Sequence, residues 1–65
     1  MKAFKHIYTG RYLASITRKH KEIETTKMID DAITFDLTLR GTQANYCRFI
    51  KAHEKELRQF IEIEI

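Results

Sequence analysis

Residues 2–19 of this 65-residue chain read KAFKHIYTGRYLASITRK, and this stretch decides what kind of fold the sequence can form. Two runs rich in β-favouring side chains, one around Phe4 and one beginning at Tyr12, flank the short segment YTGRY. Its glycine, Gly10, tolerates the positive φ angle that many tight turns require. The stretch therefore predicts an N-terminal β-hairpin.

The second strand of this hairpin has a period of two. Tyr12, Ala14 and Ile16 fall on one face, which we expect to be the apolar one. The polar residues between them fall on the other face. If the strand continues through RKHK, residues 18–21, the two lysines of that run project into solvent.

The end of the chain, QFIEIEI, alternates isoleucine with glutamate from residue 61 to residue 65. Such alternation is typical of an antiparallel strand with one buried face. We expect this strand to pair with the first strand of the hairpin. The alternative is that it forms a sheet edge and accepts a strand from another protein.

Between these strands, TQANYCRFIKAHEKELRQF (residues 42–60) has apolar residues three and four positions apart, which predicts a helix. On its exposed side, Lys51 and Glu54 have i,i+3 spacing, and Glu54 and Arg58 have i,i+4 spacing, so both pairs are candidates for ion pairs. Cys47 is expected to be a small buried packing residue of this helix.

The preceding segment, ETTKMIDDAITFDLTLRG (residues 24–41), fits two structures. Apolar and polar residues alternate over residues 33–39, as in a strand. Apolar residues also recur every fourth position from Ile29, and Asp30 and Asp31 suit the first turn of a helix. The helix is our favoured interpretation, and the strand stays open.

Together these elements predict an α+β fold. A small antiparallel sheet, made of the N-terminal β-hairpin and the C-terminal strand, has one long or broken helix packed on one face. Residues 1–65 form a single domain, since so short a chain builds one core at most. A partner chain would add stability to a core of this size, so a homo-oligomer is left open.

The charge is divided unequally along the chain. Residues 1–21 hold six basic residues and no acid, whereas residues 22–65 hold six basic and nine acidic residues. This asymmetry indicates an anionic partner, although the basic hairpin could instead balance an acidic helix within the molecule. Aromatic residues that stack on bases also interleave with cations that contact phosphates. The residues expected to bind RNA or a protein partner are Lys2, Lys5, Tyr8, Arg11, Tyr12, Arg18, Lys19, His20 and Lys21.

No arrangement typical of an enzyme is found in the sequence. The three histidines, His6, His20 and His53, belong to different predicted elements, and Cys47 lies on a different helix face from His53. There is no phosphate-binding loop, zinc motif or paired-cysteine motif. We therefore expect no catalysis, no metal and no cofactor.

The sequence also bears on location. No segment approaches the ~20 apolar residues that cross a membrane, and the N-terminus is too charged for a secretory signal. The lone cysteine suits a reducing compartment. These features predict a cytoplasmic protein without a membrane partner.

Three segments resemble the TifA/Dmd-like antitoxins of T4-like bacteriophages. They are the aromatic–X–Gly–X–aromatic hairpin YTGRY, the segment KEIETTKMIDDA with its paired aspartates, and the helix followed by FIEIEI. The resemblance implies a non-catalytic, phage-encoded inhibitor of a host toxin endoribonuclease that acts in the infected bacterium.

The same resemblance implies two routes of inhibition. An acidic surface would mimic RNA, whereas a basic hairpin would hold RNA against the toxin. The six N-terminal cations favour the second route. The alternative to both is a small basic RNA- or DNA-binding regulatory protein without a toxin partner.

Overall fold

The computed structural model describes residues 1–17 and 19–65 and confirms the α+β fold class. Four antiparallel strands form one sheet in the order β3–β2–β1–β4, with one α-helix packed on a single face. No helix among the described residues is long and apolar enough to cross a membrane. The strands are β1 (Lys2–His6), β2 (Tyr12–Ile16), β3 (Ile23–Thr26) and β4 (Phe60–Glu64), and the helix is α1 (Arg40–Ala52). Two short 3-10 helices span Ile29–Asp31 and Glu56–Gln59.

A cluster of aromatic rings forms the core between the sheet and α1. Phe4 of β1 stacks on Tyr46, with ring centroids 5.9 Å apart. The ring centroid of Phe49 lies 5.8 Å from that of Phe4. Phe35 meets Tyr46 edge-on at 5.0 Å. Leu13 of β2 lies fully buried in the same core. Aromatic pairs at these separations stabilise a core beyond the area that they bury.

The C-terminal strand pairs with β1 along its whole length, as predicted. Phe4 is opposite Glu62, and Phe4 faces α1, so Glu62 also lies on the α1 side of the sheet. Ile61 and Ile65 consequently lie on the other face, where they are 50% and 52% exposed. The strand alternates as predicted, and its isoleucine face is the one that α1 leaves open.

β2 presents a different set of residues to the core from the predicted set. The register of β2 with β3 shifts between Leu13 and Ser15, which leaves Ala14 as the extra residue of a β-bulge. The bulge interrupts the period of two, so Leu13 and Ile16 both pack on the core. Tyr12, opposite Lys5 of β1, lies on the open face instead.

A continuation of β2 through the basic run, residues 18–21, is not observed, because β2 ends at Ile16. Arg18 lies outside the described residues. The chain reverses direction between Thr17 and Glu22. The Thr17 N–H donates to the Glu22 carbonyl at 2.9 Å, and the Glu22 N–H donates to the Thr17 hydroxyl at 2.9 Å. The change from basic to acidic sequence therefore falls at a turn, and the segment after it forms the unpredicted strand β3.

The segment ETTKMIDDAITFDLTLRG does not form the favoured helix. Its paired aspartates, Asp30 and Asp31, belong to the single 3-10 turn Ile29–Asp31. Beyond that turn the chain is extended, and Phe35 exchanges two backbone hydrogen bonds of 2.8 Å with Lys2. Ile33, Phe35 and Leu37 all pack against the core. The period-two pattern prevailed because an extended chain brings these three alternating residues to the core together.

α1 is shorter than predicted and ends at Ala52. Lys51, Glu54 and Arg58 therefore do not share one helical face, and the ion pairs predicted among them are not formed in the described part of the chain. Cys47 was expected to be buried and is exposed instead. The helix turns its neighbour Tyr46 to the core, because Tyr46 is the residue that meets Phe4.

Substitution of the two glycines tests the turn between β1 and β2. Gly10 has a φ angle of +72°, and a Cβ there would meet only the Lys5 Cε at 3.8 Å. Gly10→Ala should therefore destabilise the protein by about 1–2 kcal/mol through backbone strain alone. Gly41→Ala in α1 is the matched control, because the Cβ that alanine adds there would have no other atom within 4 Å. The control should be neutral or stabilising by up to about 1 kcal/mol. Urea unfolding measures both variants, and equal effects would contradict the assigned turn.

Candidate functional site

An open cleft of about 440 Å³ lies between the end of β1, the β1–β2 loop, β3 and the 3-10 helix before β4. We call it the basic cleft and define it by His6, Arg11, Thr25, Lys55, Arg58 and Gln59, which all line it. Three of these six side chains are cationic and come from the two ends of the chain, and the acidic Glu56 also lines the cleft. The fold therefore assembles a positive site from residues that are distant in sequence.

Arg11 is held in the basic cleft by uncharged partners. Its Nε–H donates to the Thr25 hydroxyl at 2.8 Å, and a terminal guanidinium N–H donates to the Thr25 carbonyl at 3.0 Å. The backbone N–H of Arg11 donates to the Thr9 hydroxyl at 3.2 Å. Because a guanidinium carries five N–H donors, several remain for a ligand. Arg11 is therefore a fixed cation that forms no ion pair with a carboxylate of the described residues.

His6 shapes the rim of the basic cleft. Its Nδ1 accepts hydrogen bonds from the backbone N–H groups of Tyr8 and Thr9, both at 3.2 Å. With Nδ1 as the acceptor, Nε2 is the ring nitrogen that can donate, and it lies 3.2 Å from the Gln59 Oε1. His6 thus fastens the β1–β2 loop to the segment that leads into β4.

A second hollow adjoins the basic cleft and shares Lys55 and Glu56 with it. The Lys21 Nζ lies 3.4 Å from the Ala52 carbonyl, at the C-terminal end of α1, where the helix dipole favours a cation. Lys51 of the last helical turn also lines this hollow. The cleft and hollow together form the basic surface, lined by the cations Arg11, Lys21, Lys51, Lys55 and Arg58 and by the acids Glu54 and Glu56.

The residues predicted to bind RNA or a partner lie on several surfaces. Arg11 lines the basic cleft and Lys21 lines the adjoining hollow. Tyr8 is 76% exposed in the loop beside His6, with ring centroids 5.8 Å apart. These three predicted residues can act together with the basic cleft.

The other predicted residues lie elsewhere. Lys5 and Tyr12 are opposite each other on the open face of the sheet, away from α1. Lys19 and His20 are exposed in the turn between β2 and β3, and the prediction for Arg18 falls outside the described residues. Their part in binding stays a prediction.

Lys2 is paired with carboxylates of β4. Its Nζ lies 3.2 Å from the Glu62 carboxylate and 3.1 Å from the Glu64 carboxylate. Hydrogen bonds to Glu64 and then Glu62 raise the pKa of Lys2. Its charge is thereby compensated within the sheet, on the strand pair β1–β4 and apart from the residues that line the basic surface.

The same carboxylates tie α1 and the N-terminus to β4. The Tyr46 hydroxyl donates to Glu62, and this bond, with Lys2 adding to it, lowers the pKa of Glu62. Burial and the bond to Glu62 raise the pKa of Tyr46. The N-terminal ammonium donates to Glu64 at 2.9 Å and, together with Lys2, lowers the pKa of Glu64. These acids therefore have structural partners on the α1 side.

The sequence interpretation missed Lys55 and Arg58. It placed both on one continuous helix, where Arg58 was assigned to an ion pair with Glu54. The run HEKE, residues 53–56, interrupts the apolar spacing and marks where α1 ends. That interruption is the signal that would have placed Arg58 outside the helix, in the segment that leads into β4.

Comparison of the chain with protein-family models, with curated proteins and with solved structures finds no match. Within the described residues, no three His, Cys, Asp or Glu side chains are grouped so that they could hold a metal ion. The resemblance to TifA/Dmd-like antitoxins therefore stays a prediction from the sequence. The geometry of the basic surface supplies the structural argument for function.

The contact between Tyr46 and Glu62 predicts an acid-sensitive contribution to stability. The pKa of Glu62 is lower in the folded chain than its ordinary value of 4.5. The contribution of the Glu62 carboxylate to the free energy of unfolding is therefore present above pH 4.5 and is lost as the pH falls through the pKa of the folded chain. Glu62→Gln should cost about 1 kcal/mol near neutral pH, after allowance for the exposure of the carboxylate.

Urea unfolding of both proteins between neutral pH and about pH 3 measures this difference, which should shrink toward zero in acid. Glu54→Gln is the matched control, because Glu54 has no ion pair among the described residues. A difference for Glu62→Gln that stays constant with pH would show that the carboxylate charge does not stabilise the fold.

Proposed function

We propose that this chain is a phage-encoded, non-catalytic RNA-binding protein that inhibits a host toxin endoribonuclease. RNA is held on the basic surface, and the protein acts in the cytoplasm of the infected bacterium. One observation carries the RNA-binding part: Arg11, Lys55 and Arg58 line one cleft, and none has an ion pair among the described residues. The sequence resemblance supports the inhibitory part.

The chemistry of the basic cleft suits a phosphate backbone. Arginine and lysine contact phosphate oxygens, and hydroxyl and amide groups such as those of Thr25 and Gln59 add neutral donors. Arg11 is already held by two hydrogen bonds, so little side-chain freedom is lost when it binds an anion. This favours a site that positions RNA through its backbone.

The shape of the surface favours single-stranded RNA. Tyr8 stands 76% exposed beside His6, a residue of the basic cleft, and its ring can stack on an unpaired base. The adjoining hollow extends the positive surface past Lys55 to Lys21. Stacking on one ring and contacts to phosphates tolerate many sequences, so we expect weak sequence preference and strong salt dependence.

Bound RNA gives a basic protein a way to approach a nuclease. A ribonuclease presents a cationic cleft to its substrate, so two basic surfaces repel each other unless a polyanion lies between them. RNA on the basic surface would supply that polyanion and form a three-component complex. A small basic RNA- or DNA-binding regulatory protein without a toxin partner is the second candidate function, and the same cleft supports it.

Charge reversal in the basic cleft tests RNA binding. The double variant Arg11→Glu/Arg58→Glu should bind a labelled single-stranded RNA at least about tenfold more weakly, because it removes two phosphate contacts. The slope of log affinity against log salt should become about 1.4 units shallower. Lys27→Glu/Arg48→Glu is the matched control, with the same change of net charge at exposed residues that neither line the basic surface nor belong to the predicted binding residues. Equal losses of RNA affinity in both variants would show that the basic cleft is not the RNA-binding site.

Affinity purification separates the two candidate functions. Tagged protein is recovered from bacterial lysate with and without ribonuclease treatment. Recovery of one endoribonuclease that is lost after RNA digestion, and lost in the Arg11→Glu/Arg58→Glu variant, supports the inhibitor. Recovery of mixed RNA without a protein partner supports the regulatory protein.

A further inference from the structure

We propose that the outer edge of β4 is a second docking site, which accepts an extended segment of another protein as a fifth strand of the sheet. The segment that fits alternates basic and apolar side chains. This site lies on β4 and uses none of the side chains that line the basic surface. The proposal holds whether or not the basic surface binds RNA.

The direction of the backbone groups in β4 is the first observation. Met1 and Ile65 exchange two hydrogen bonds, from the N-terminal ammonium to the Ile65 carbonyl at 3.0 Å and from the Ile65 N–H to the Met1 carbonyl at 2.8 Å. Hydrogen-bonded and non-hydrogen-bonded pairs alternate along an antiparallel ladder. The N–H and C=O groups of Glu62 and Glu64 therefore point away from β1.

Those groups lie at the end of the sheet. β4 is its last strand, so the outward groups of Glu62 and Glu64 have no strand partner in the described part of the chain. The corresponding backbone groups of Lys2, on the other side of β1, do have a partner. The Lys2 N–H donates to the Phe35 carbonyl, and the Phe35 N–H donates to the Lys2 carbonyl. An exposed strand edge of this kind is a template for another strand.

The two faces of β4 select the side chains of the partner. Ile61 and Ile65 are half exposed on the open face, beside Met1, which is 52% exposed. Apolar residues of an added strand would lie beside these isoleucines.

The other face selects basic residues. The side chains of Glu62 and Glu64 remain 42% and 62% exposed although Lys2 contacts both. Opposite charges across neighbouring strands stabilise the pairing, so lysine or arginine at alternate positions of the partner fits this edge. The partner segment is therefore an amphipathic strand with a basic face and an apolar face.

A second copy of this chain is a poor occupant. If two β4 strands pair antiparallel about a two-fold axis over the whole of Phe60–Glu64, Glu62 faces its own copy. Like charges directly opposite each other are destabilising. The glutamates therefore oppose self-pairing at the same edge where they favour a basic strand.

Synthetic peptides test this edge directly. The probe is a peptide of alternating valine and lysine, about eight residues long, which is within the usual length of strands. Its control alternates valine and glutamate. We expect the lysine peptide to bind at least about tenfold more tightly, since the control places like charges opposite the β4 glutamates. Binding should shift the amide signals of Glu62 and Glu64 and protect both amides from hydrogen exchange.

Two variants at one position separate the backbone contribution from the charge. Glu64→Gln removes the charge and keeps the outward N–H, whereas Glu64→Pro removes both and leaves the ladder to β1 intact. The proline variant should bind the lysine peptide more weakly than the glutamine variant, and RNA affinity should change in neither. Equal peptide binding by both variants, or preference for the glutamate peptide, would overturn the proposal. A dimer that forms through β4 and excludes the lysine peptide would also overturn it. Exchange protection in the unsubstituted protein tests the site even if the proline variant fails to fold.

Discussion

The packing of Phe4 on Tyr46 and Phe49 is the contact on which the rest of the structure depends. Phe4 lies in β1, which neighbours both β2 and β4, and the two aromatic partners lie on α1. This contact covers one face of the sheet with α1, the single α-helix of the described residues. It also determines the side of every other residue in β1 and β4, so the glutamates of β4 meet Tyr46 and Lys2 while the isoleucines stay open.

The division of charge along the sequence becomes a different division in space. Lys2 is compensated by carboxylates of β4, and Lys5 lies on the open face. Arg11 reaches the α1 side, where the return of the chain from α1 to β4 brings Lys55 and Arg58 to it. The basic surface thus draws on both halves of the chain, whereas the carboxylates of β4 contact Lys2, Tyr46 and the N-terminal ammonium.

Local signals predicted the hairpin, the closing strand and the existence of α1, because a turn glycine and regular apolar spacing act within a few residues. The missed features depend on contacts between distant residues. Ala14 becomes a bulge through the pairing of β2 with β3, and Phe35 becomes extended through its bridge to Lys2. The cleft was missed for the same reason, since Lys55 and Arg58 join Arg11 only after α1 ends and the chain returns to the sheet.

The central claim is that RNA is held in the basic cleft on the α1 side of the sheet. Titration of a short single-stranded RNA into isotope-labelled protein, followed by amide chemical shifts, tests it most directly. The account predicts the largest shifts at Thr9, Arg11, Thr25, Arg58 and Gln59, which line the cleft. Largest shifts on the open face, around Lys5, Tyr12 and Ile61, would contradict it.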